Sequence, residues 1–403
     1  MGDPRGIELV PRLGAEGYSA EGVAERRRWV EARTGARLDH VGACSLDGER
    51  MRGNVENAIG AAQVPLGVAG PLRVDGEHAR GVFYVPLATT EGALVRSYER
   101  GMVALTKAGG ARTRLWTDEN RVAPLFPLAD IGEALAFARE VEASFEAIRA
   151  AAESTTRHGR LLRLACMPVG RDVIVNFSYS TGDAQGMNLA DKATDEACRW
   201  IVAHTRAERY FIFSGFDSEK RASGSLLLGG KGKKATAGAE LPAALVRAHL
   251  HSTPERMAEM WAATVAGHLQ AAAMGYNGHY ANGLSALFIA CGQDVANVAN
   301  SAVGITRFEV TPAGGLYASV TLPSLSVATV GGGTGLGTAR ECLEMLGCAA
   351  DGGHGGAPKL AEIAAATLLA GELSMGAAIA SGELVAAHEA YGRNRPDAGP
   401  ETA

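Results

Sequence analysis

Residues 19–34, SAEGVAERRRWVEART, crowd their charges onto one side, and this predicts an amphipathic helix. Glycines and prolines then punctuate ENAIGAAQVPLGVAGPL (56–72), and helical spacing resumes over 91–107. Between Pro124 and Phe213 the grain changes. The pattern predicts a strand at 125–128, a helix at 131–153, strands at 161–168 and 172–179, a helix at 189–206 and a last strand at 210–213. That β-α-β-β-α-β order is the ferredoxin-like arrangement and has the size of an inserted small domain. Downstream, helices are expected at 254–274 and 279–300, the second rich in Ala, Leu and Ile and therefore buried. A strand follows at 310–320, and a long small-residue helix starts at Ala357 and carries His388 in its last turns. The closing RNRPDAGPETA has a disordered composition. The expected fold is α+β: a large, mostly helical domain (1–122 and 214–403) with a ferredoxin-like small domain (123–213) inserted.

Composition narrows the function classes. A chain of 403 residues has room for two domains, and 47% hydrophobic with 21% charged residues is a globular balance. The net charge of -5, with no long basic run, argues against a nucleic-acid partner. Six scattered cysteines form no CxxC pair and meet no histidine cluster, so no metal site is expected. The opening MGDPRGIELVPRLG lacks the apolar core of a signal peptide. No uninterrupted apolar run approaches the ~20 residues that span a bilayer. A cytoplasmic, reducing setting away from the membrane is the expectation.

Glycine is abundant, at 52 residues, and it clusters in LLLGGKGKK (226–234), GGGTGLG (331–337) and DGGHGG (351–356). Such clusters mark tight turns or close backbone approach to a ligand. VGGGTGLG does not satisfy the GxGxxG dinucleotide fingerprint, because the sixth position from Gly331 is Leu336, and no ribose-binding acid follows at the right distance. A Rossmann domain is therefore not expected. TGDAQGMN (181–188), between a predicted strand and helix, places backbone amides where a pyrophosphate can bind, although an ordinary turn has the same pattern.

Several strings, in order, carry a more specific signal. ENAIGAAQVPLGVAGPL, PLATTEGALVRS, GDAQGMN, CGQDVAN, LPSLSVATVGGGT and LAGELS resemble successive signature segments of the hydroxymethylglutaryl-CoA reductase family, from about Glu56 to His388. The resemblance implies NADPH-dependent reduction of an acyl-CoA thioester to an alcohol, with hydroxymethylglutaryl-CoA converted to mevalonate. It implies cofactor binding in the inserted domain, with Asp183, Gly186, Met187 and Asn188 in the phosphate loop and Thr156 and Arg157 at the 2′-phosphate. An arginine suits that place, since a fixed planar cation pairs well with a phosphate dianion. It also implies a homodimer, or an assembly of dimers, with active sites across the subunit interface.

The chemistry asks for four groups, and the resemblance supplies one for each. Two successive reductions of a carbonyl carbon each create an oxyanion, each alkoxide needs a proton, and the departing thiolate needs an acid. Glu91 in ATTEG matches the proton donor, Lys220 in SEKRAS the oxyanion-stabilising cation, Asp294 in CGQD the carboxylate bonded to both, and His388 the acid for the thiolate. Two carboxyls in one buried site cannot both ionise cheaply, so Glu91 and Asp294 are expected to share a proton. Arg100, Arg121, Ser214, Arg221 and Asn282 match or replace substrate contacts. Judged without the family, Glu91 reads as a helix N-terminal acid, Asp294 as a cap, and Lys220 and His388 as surface groups.

Departures gather in substrate recognition. The family's DKKP becomes Glu219-Lys220-Arg221-Ala222, and Ala262 stands where a lysine usually meets the substrate's free carboxylate. An enzyme acting on a different CoA- or carrier-bound thioester, or stopping at the aldehyde, is the alternative expectation. A non-catalytic homologue is a third.

Overall fold

The computed structural model describes residues 9–156, 159–349 and 355–382. At the start, α1 (Ala20–Thr34) is capped by Ser19, whose Oγ accepts the Gly22 amide at 3.0 Å, and a left-handed Gly35 closes it. The short α2 (Asp39–Gly42) follows. Strands β1 (Leu66–Asp75) and β2 (Arg80–Ala88) pair antiparallel, α3 (Leu94–Lys107) packs on β1, and β3 (Ala111–Val122) runs parallel to β1.

The chain then leaves the main sheet through β4 (Leu125–Pro127), α4 (Ile131–Ala143), α5 (Phe145–Glu153), β5 (Arg160–Val169), β6 (Asp172–Ser180) and α6 (Met187–His204). It returns through β7 (Gly232–Leu241), α7 (Ala243–Leu250), α8 (Pro254–Gln270), α9 (Tyr280–Ala290), α10 (Val298–Ser301), β8 (Ile305–Val310), β9 (Leu316–Leu325), α11 (Gly337–Met345) and α12 (Gly356–Ser381).

The sheet path runs β2-β1-β3-β7-β9-β8, with β6 joined to the far end of β3. Residues 112–119 of β3 pair with β7, whereas Asn120, Arg121 and Val122 pair with β6. One strand therefore serves both parts of the molecule. Within the excursion, β6 lies between β5 and β4, antiparallel to each, and Phe211 bridges back to Leu125. That part has its own buried apolar cluster, including Phe126, Phe137, Ile148, Phe177 and Ile201.

The larger part corrects one expectation. Its helices hold more residues than its strands, as expected, but they pack against a long sheet that the pattern did not show. The sequence pattern missed β1, β2, β3 and β7, and in β7 the inward positions are mostly small. In β7 the buried residues alternate as Ala235, Ala237, Ala239 and Leu241, and they face α12, whose own surface is largely Ala and Gly. Small against small lets backbones approach closely, and Gly101 of α3 lies so near Ala370 that an added Cβ would collide with the Ala370 carbonyl oxygen.

Other boundaries moved for local reasons. The helix expected over 131–153 breaks at Ser144 into α4 and α5. The helix expected over 279–300 ends at Ala290, and the strand expected over 310–320 holds the end of β8 and the first half of β9, split by a turn in which the Thr311 amide donates to the Gly315 carbonyl. The last strand of the excursion reduces to the Phe211–Leu125 bridge. By length and composition α12 could cross a bilayer, yet 89% of its apolar window is buried in the protein.

Candidate active site

Lys220 stands on the loop that leads out of the small excursion. Its backbone is left-handed, at φ 55°, as is that of Ser218 at 58°. For residues with a Cβ this is a sparsely populated conformation, held only when surrounding bonds impose it. The bond that imposes it is visible: the Lys220 amide donates to Asn300 Oδ1 at 3.2 Å. Asn300 is completely buried and is itself fixed by the Ser324 carbonyl at 3.2 Å and Ser326 Oγ at 3.0 Å.

The Lys220 ammonium meets Asp294 Oδ2 at 2.8 Å, with both side chains nearly half exposed. Hydrogen bonding to Asp294 raises the lysine pKa above its ordinary 10.5. Asp294 also accepts the Ala296 amide through Oδ1 at 3.1 Å, so the capping and the functional readings of this residue hold together.

Glu91 lies just before α3, its amide donating to Thr89 Oγ1 at 2.9 Å. Its carboxylate accepts the Asn282 side-chain amide at 2.8 Å. Asn282 occupies the first turn of α9, and the loop before it hangs on one buried carboxylate. Glu372 of α12, 1% exposed, accepts the Gly278 and His279 amides at 2.9 Å each and the Thr306 hydroxyl at 2.8 Å. His279 stacks on Tyr98 with ring centroids 5.4 Å apart.

The two pairs lie at opposite ends of one helix. Asn282, with Glu91, is in the first turn of α9, and Asp294, with Lys220, comes after its last residue, Ala290. At about 1.5 Å per residue, that places them more than one side-chain contact apart. Within one chain the partners shown are Asn282 for Glu91 and Lys220 for Asp294.

In the loop before α6, Thr181 Oγ1 donates to the Ala184 carbonyl at 2.9 Å and Asn120 Nδ2 to the Gln185 carbonyl at 2.8 Å. Gly186, at φ 70°, opens α6, and no side chain caps that helix. A Cβ at Gly186 would press on Thr181. The Asp183 carboxylate points elsewhere: it accepts the Gly355 amide at 2.8 Å and the Ala357 amide at 2.9 Å at the start of α12. Asp183 is therefore a tie between loop and core, not a carboxylate facing a phosphate. Met187 offers its sulfur to Lys231 at 3.1 Å, and Asn188 is exposed. Thr156 Oγ1 accepts the Gly159 amide at 3.0 Å. Arg157 and His388 lie outside the described residues.

The residues expected to meet substrate divide. Arg100 is bonded to Ser374 of α12, through Nε to the hydroxyl at 2.9 Å and through Nη2 to the carbonyl at 2.6 Å. Arg121 is buried, its Nη2 3.3 Å from the Gly229 carbonyl and its guanidinium over Phe216. Ser214 Oγ donates to the Ala123 carbonyl at 2.5 Å and accepts the Phe216 amide, bracing the loop toward Lys220. Arg221 stacks over Phe213 in the open.

Lys231, Asn300 and Glu372 were not among the expected site residues, although they hold the loops that carry the expected ones. Only the glycine cluster around Lys231 signalled an unusual backbone. Among the described residues no group of three or more His, Cys, Asp or Glu could hold a metal.

Residues 22–393 match the family model described as hydroxymethylglutaryl-coenzyme A reductase. The chain is 43% identical over 376 residues to the 3-hydroxy-3-methylglutaryl-coenzyme A reductase of Methanothermobacter thermautotrophicus, covering 93% of this chain and 94% of that protein. It is 44% identical to the enzyme of the same name from Aeropyrum pernix, covering 94% and 91%. In structure it resembles the 3-hydroxy-3-methylglutaryl-coenzyme A reductase of Streptococcus pneumoniae, with a TM-score of 0.68 at 17% identity, over 91% of this chain and 99% of that one.

Proposed function

Since the chain belongs to the hydroxymethylglutaryl-coenzyme A reductase family, we propose that it reduces hydroxymethylglutaryl-CoA to mevalonate with two equivalents of NADPH, releasing coenzyme A. The observation that carries the reading is the Lys220–Asp294 contact at 2.8 Å.

Residues 123–213 are the cofactor-binding unit, a ferredoxin-like domain inserted between 1–122 and 214–403. The antiparallel neighbours β5-β6-β4 and the Phe211 bridge support this. The start of α6 fits a pyrophosphate: amide donors with no side-chain cap, a glycine where a Cβ would crowd the loop, and an Asp183 carboxylate already engaged elsewhere. Thr156, Gly186, Met187 and Asn188 contribute to that seat, and Arg157, which lies outside the described residues, is the proposed partner of the 2′-phosphate. Bound there, NADPH supplies the reducing equivalents.

The chain's own residues do the rest. Lys220, kept cationic by Asp294, faces the thioester oxygen as it gains negative charge, first in the thiohemiacetal and again as the aldehyde becomes the alcohol. Glu91, oriented by Asn282, delivers the proton that each alkoxide takes up. His388 protonates the departing thiolate.

These groups come together in a homodimer or an assembly of dimers. Glu91 with Asn282, and Lys220 with Asp294, flank α9 from its two ends, so a second copy would close a complete site from one pair of each chain. The enzyme works as a soluble cytoplasmic assembly, consistent with the burial of α12.

The test is NADPH oxidation by the purified enzyme over a set of acyl-CoA thioesters, with the product identified. Mevalonate from hydroxymethylglutaryl-CoA is expected. Turnover of another thioester alone would assign the site to a different substrate. Lys220→Ala is expected to abolish reduction while leaving NADPH affinity intact, and sedimentation should find the active species to be at least a dimer.

A further inference from the structure

The glycine-rich LLLGGKGKK stretch has so far no role in the reaction, yet it holds the most deeply buried lysine of the described residues. Lys231 has no exposed side-chain surface and sits among left-handed glycines, Gly229, Gly230 and Gly232. Its three N–H donors meet three acceptors: Glu219 Oε2 at 3.2 Å, the Arg121 carbonyl at 3.3 Å and Met187 Sδ at 3.1 Å. These partners come from three places: the loop bearing Lys220, the strand shared by both parts of the molecule, and the first residue of α6.

We propose that Lys231 is a positioning residue for Lys220, a role that rests on the thioester-reductase reading of Lys220 above. Glu219 directly precedes Lys220, and the residues on either side of it, Ser218 and Lys220, are both left-handed. Two such residues in a row of three do not persist without an external hold. Asn300 holds the Lys220 amide, and Lys231 holds the Glu219 carboxylate. Together they fix where the Lys220 ammonium points. The contact to Met187 ties that same anchor to the start of α6, so the seat of the cofactor and the cation are referenced to one buried atom, Lys231 Nζ.

Stability alone does not require an ion pair here. Burying an ammonium costs desolvation, which lowers the Lys231 pKa against the opposing pull of Glu219, Asp217 and Asp191. Apolar replacements of a whole buried pair commonly leave stability unchanged or higher. What an apolar pair lacks is the directed contact that holds residue 219, and with it the adjoining Lys220 backbone, in one place. A displacement of about 1 Å at a reacting group costs about 100-fold in rate.

The experiment compares Lys231→Met, Glu219→Gln and the double variant K231M/E219Q, measuring kcat for NADPH oxidation and the melting temperature of each, with Lys220→Ala alongside. Lys231→Met is expected to lower kcat about 100-fold. The double variant, with no buried charge left unbalanced, is expected to recover the melting temperature while kcat stays as low as in the single variant. Should Lys231→Met fail to fold, the double variant carries the test. The proposal is overturned if Lys231→Met keeps the parent kcat, if kcat recovers together with melting temperature in the double variant, or if the two single losses multiply. Turnover retained by Lys220→Ala would instead overturn the role of Lys220 itself, a separate outcome.

Discussion

Asn282 donates its side-chain amide to the Glu91 carboxylate at 2.8 Å, joining the first turn of α9 to the segment that opens α3. A side-chain hydrogen bond contributes about 0.5–1.5 kcal/mol, and here it orients the proton-delivering carboxyl group. Asn282→Ala should therefore lower kcat by up to about tenfold, with NADPH affinity unchanged in a fluorescence titration. Parent-like turnover in this variant would show that Glu91 is oriented by something else.

Asp294 sets the pH range over which Lys220 stays cationic. Its hydrogen bond raises the lysine pKa above 10.5, so the ammonium, and the stability it contributes, are present at lower pH and are lost as pH rises through the raised value. Both groups are close to half exposed, which keeps the stability share small. Asp294→Asn removes the raising partner. The alkaline titration of Lys220, followed by NMR of labelled lysine or by the alkaline limb of kcat, should move to lower pH, and a limb that stays in place would contradict the pairing.

Two glutamates of α12 allow support of the site to be separated from support of the fold. Glu372 holds the Gly278–His279 loop that leads to Asn282, whereas Glu362 accepts the amides of Glu77, His78 and Ala79 between β1 and β2. Truncating either leaves buried donors unsatisfied, at about 1–3 kcal/mol each. Glu372→Ala and Glu362→Ala should both lower the melting temperature in calorimetry. Only Glu372→Ala should also lower kcat at a temperature where both variants are folded.

Burial makes most of the thiols poor nucleophiles. It pushes Cys166 and Cys348 up to about 12 and raises Cys198 and Cys291 as well. With iodoacetamide near neutral pH, peptide mapping should find Cys44 labelled ahead of these four, with activity retained. Early labelling of Cys166 or Cys348 would contradict their packing.

The helices α6 and α8 were legible because apolar residues recur at helical spacing along one side of each, whereas α1 forms where expected but without an apolar side. Family motifs named Glu91, Lys220, Asp294 and Asn282, since chemistry confines those positions to few residue types. The main sheet was not legible. Strands such as β7 bury alanines against the alanines of α12, and small residues leave no strong periodic signal.

What the order of residues determined alone was the inventory: which groups are present for reduction, and which segments could form helices or a small antiparallel sheet. Only tertiary packing decided who holds whom. Asp183 turned from a supposed phosphate neighbour into the anchor of α12, Lys231 became the partner of Glu219, and α9 set Glu91 and Asp294 at its two ends. The reason is physical: a buried hydrogen bond joins residues tens or hundreds of positions apart, and its partner is selected by the desolvation cost of every alternative, a quantity that exists only once the chain has closed around it.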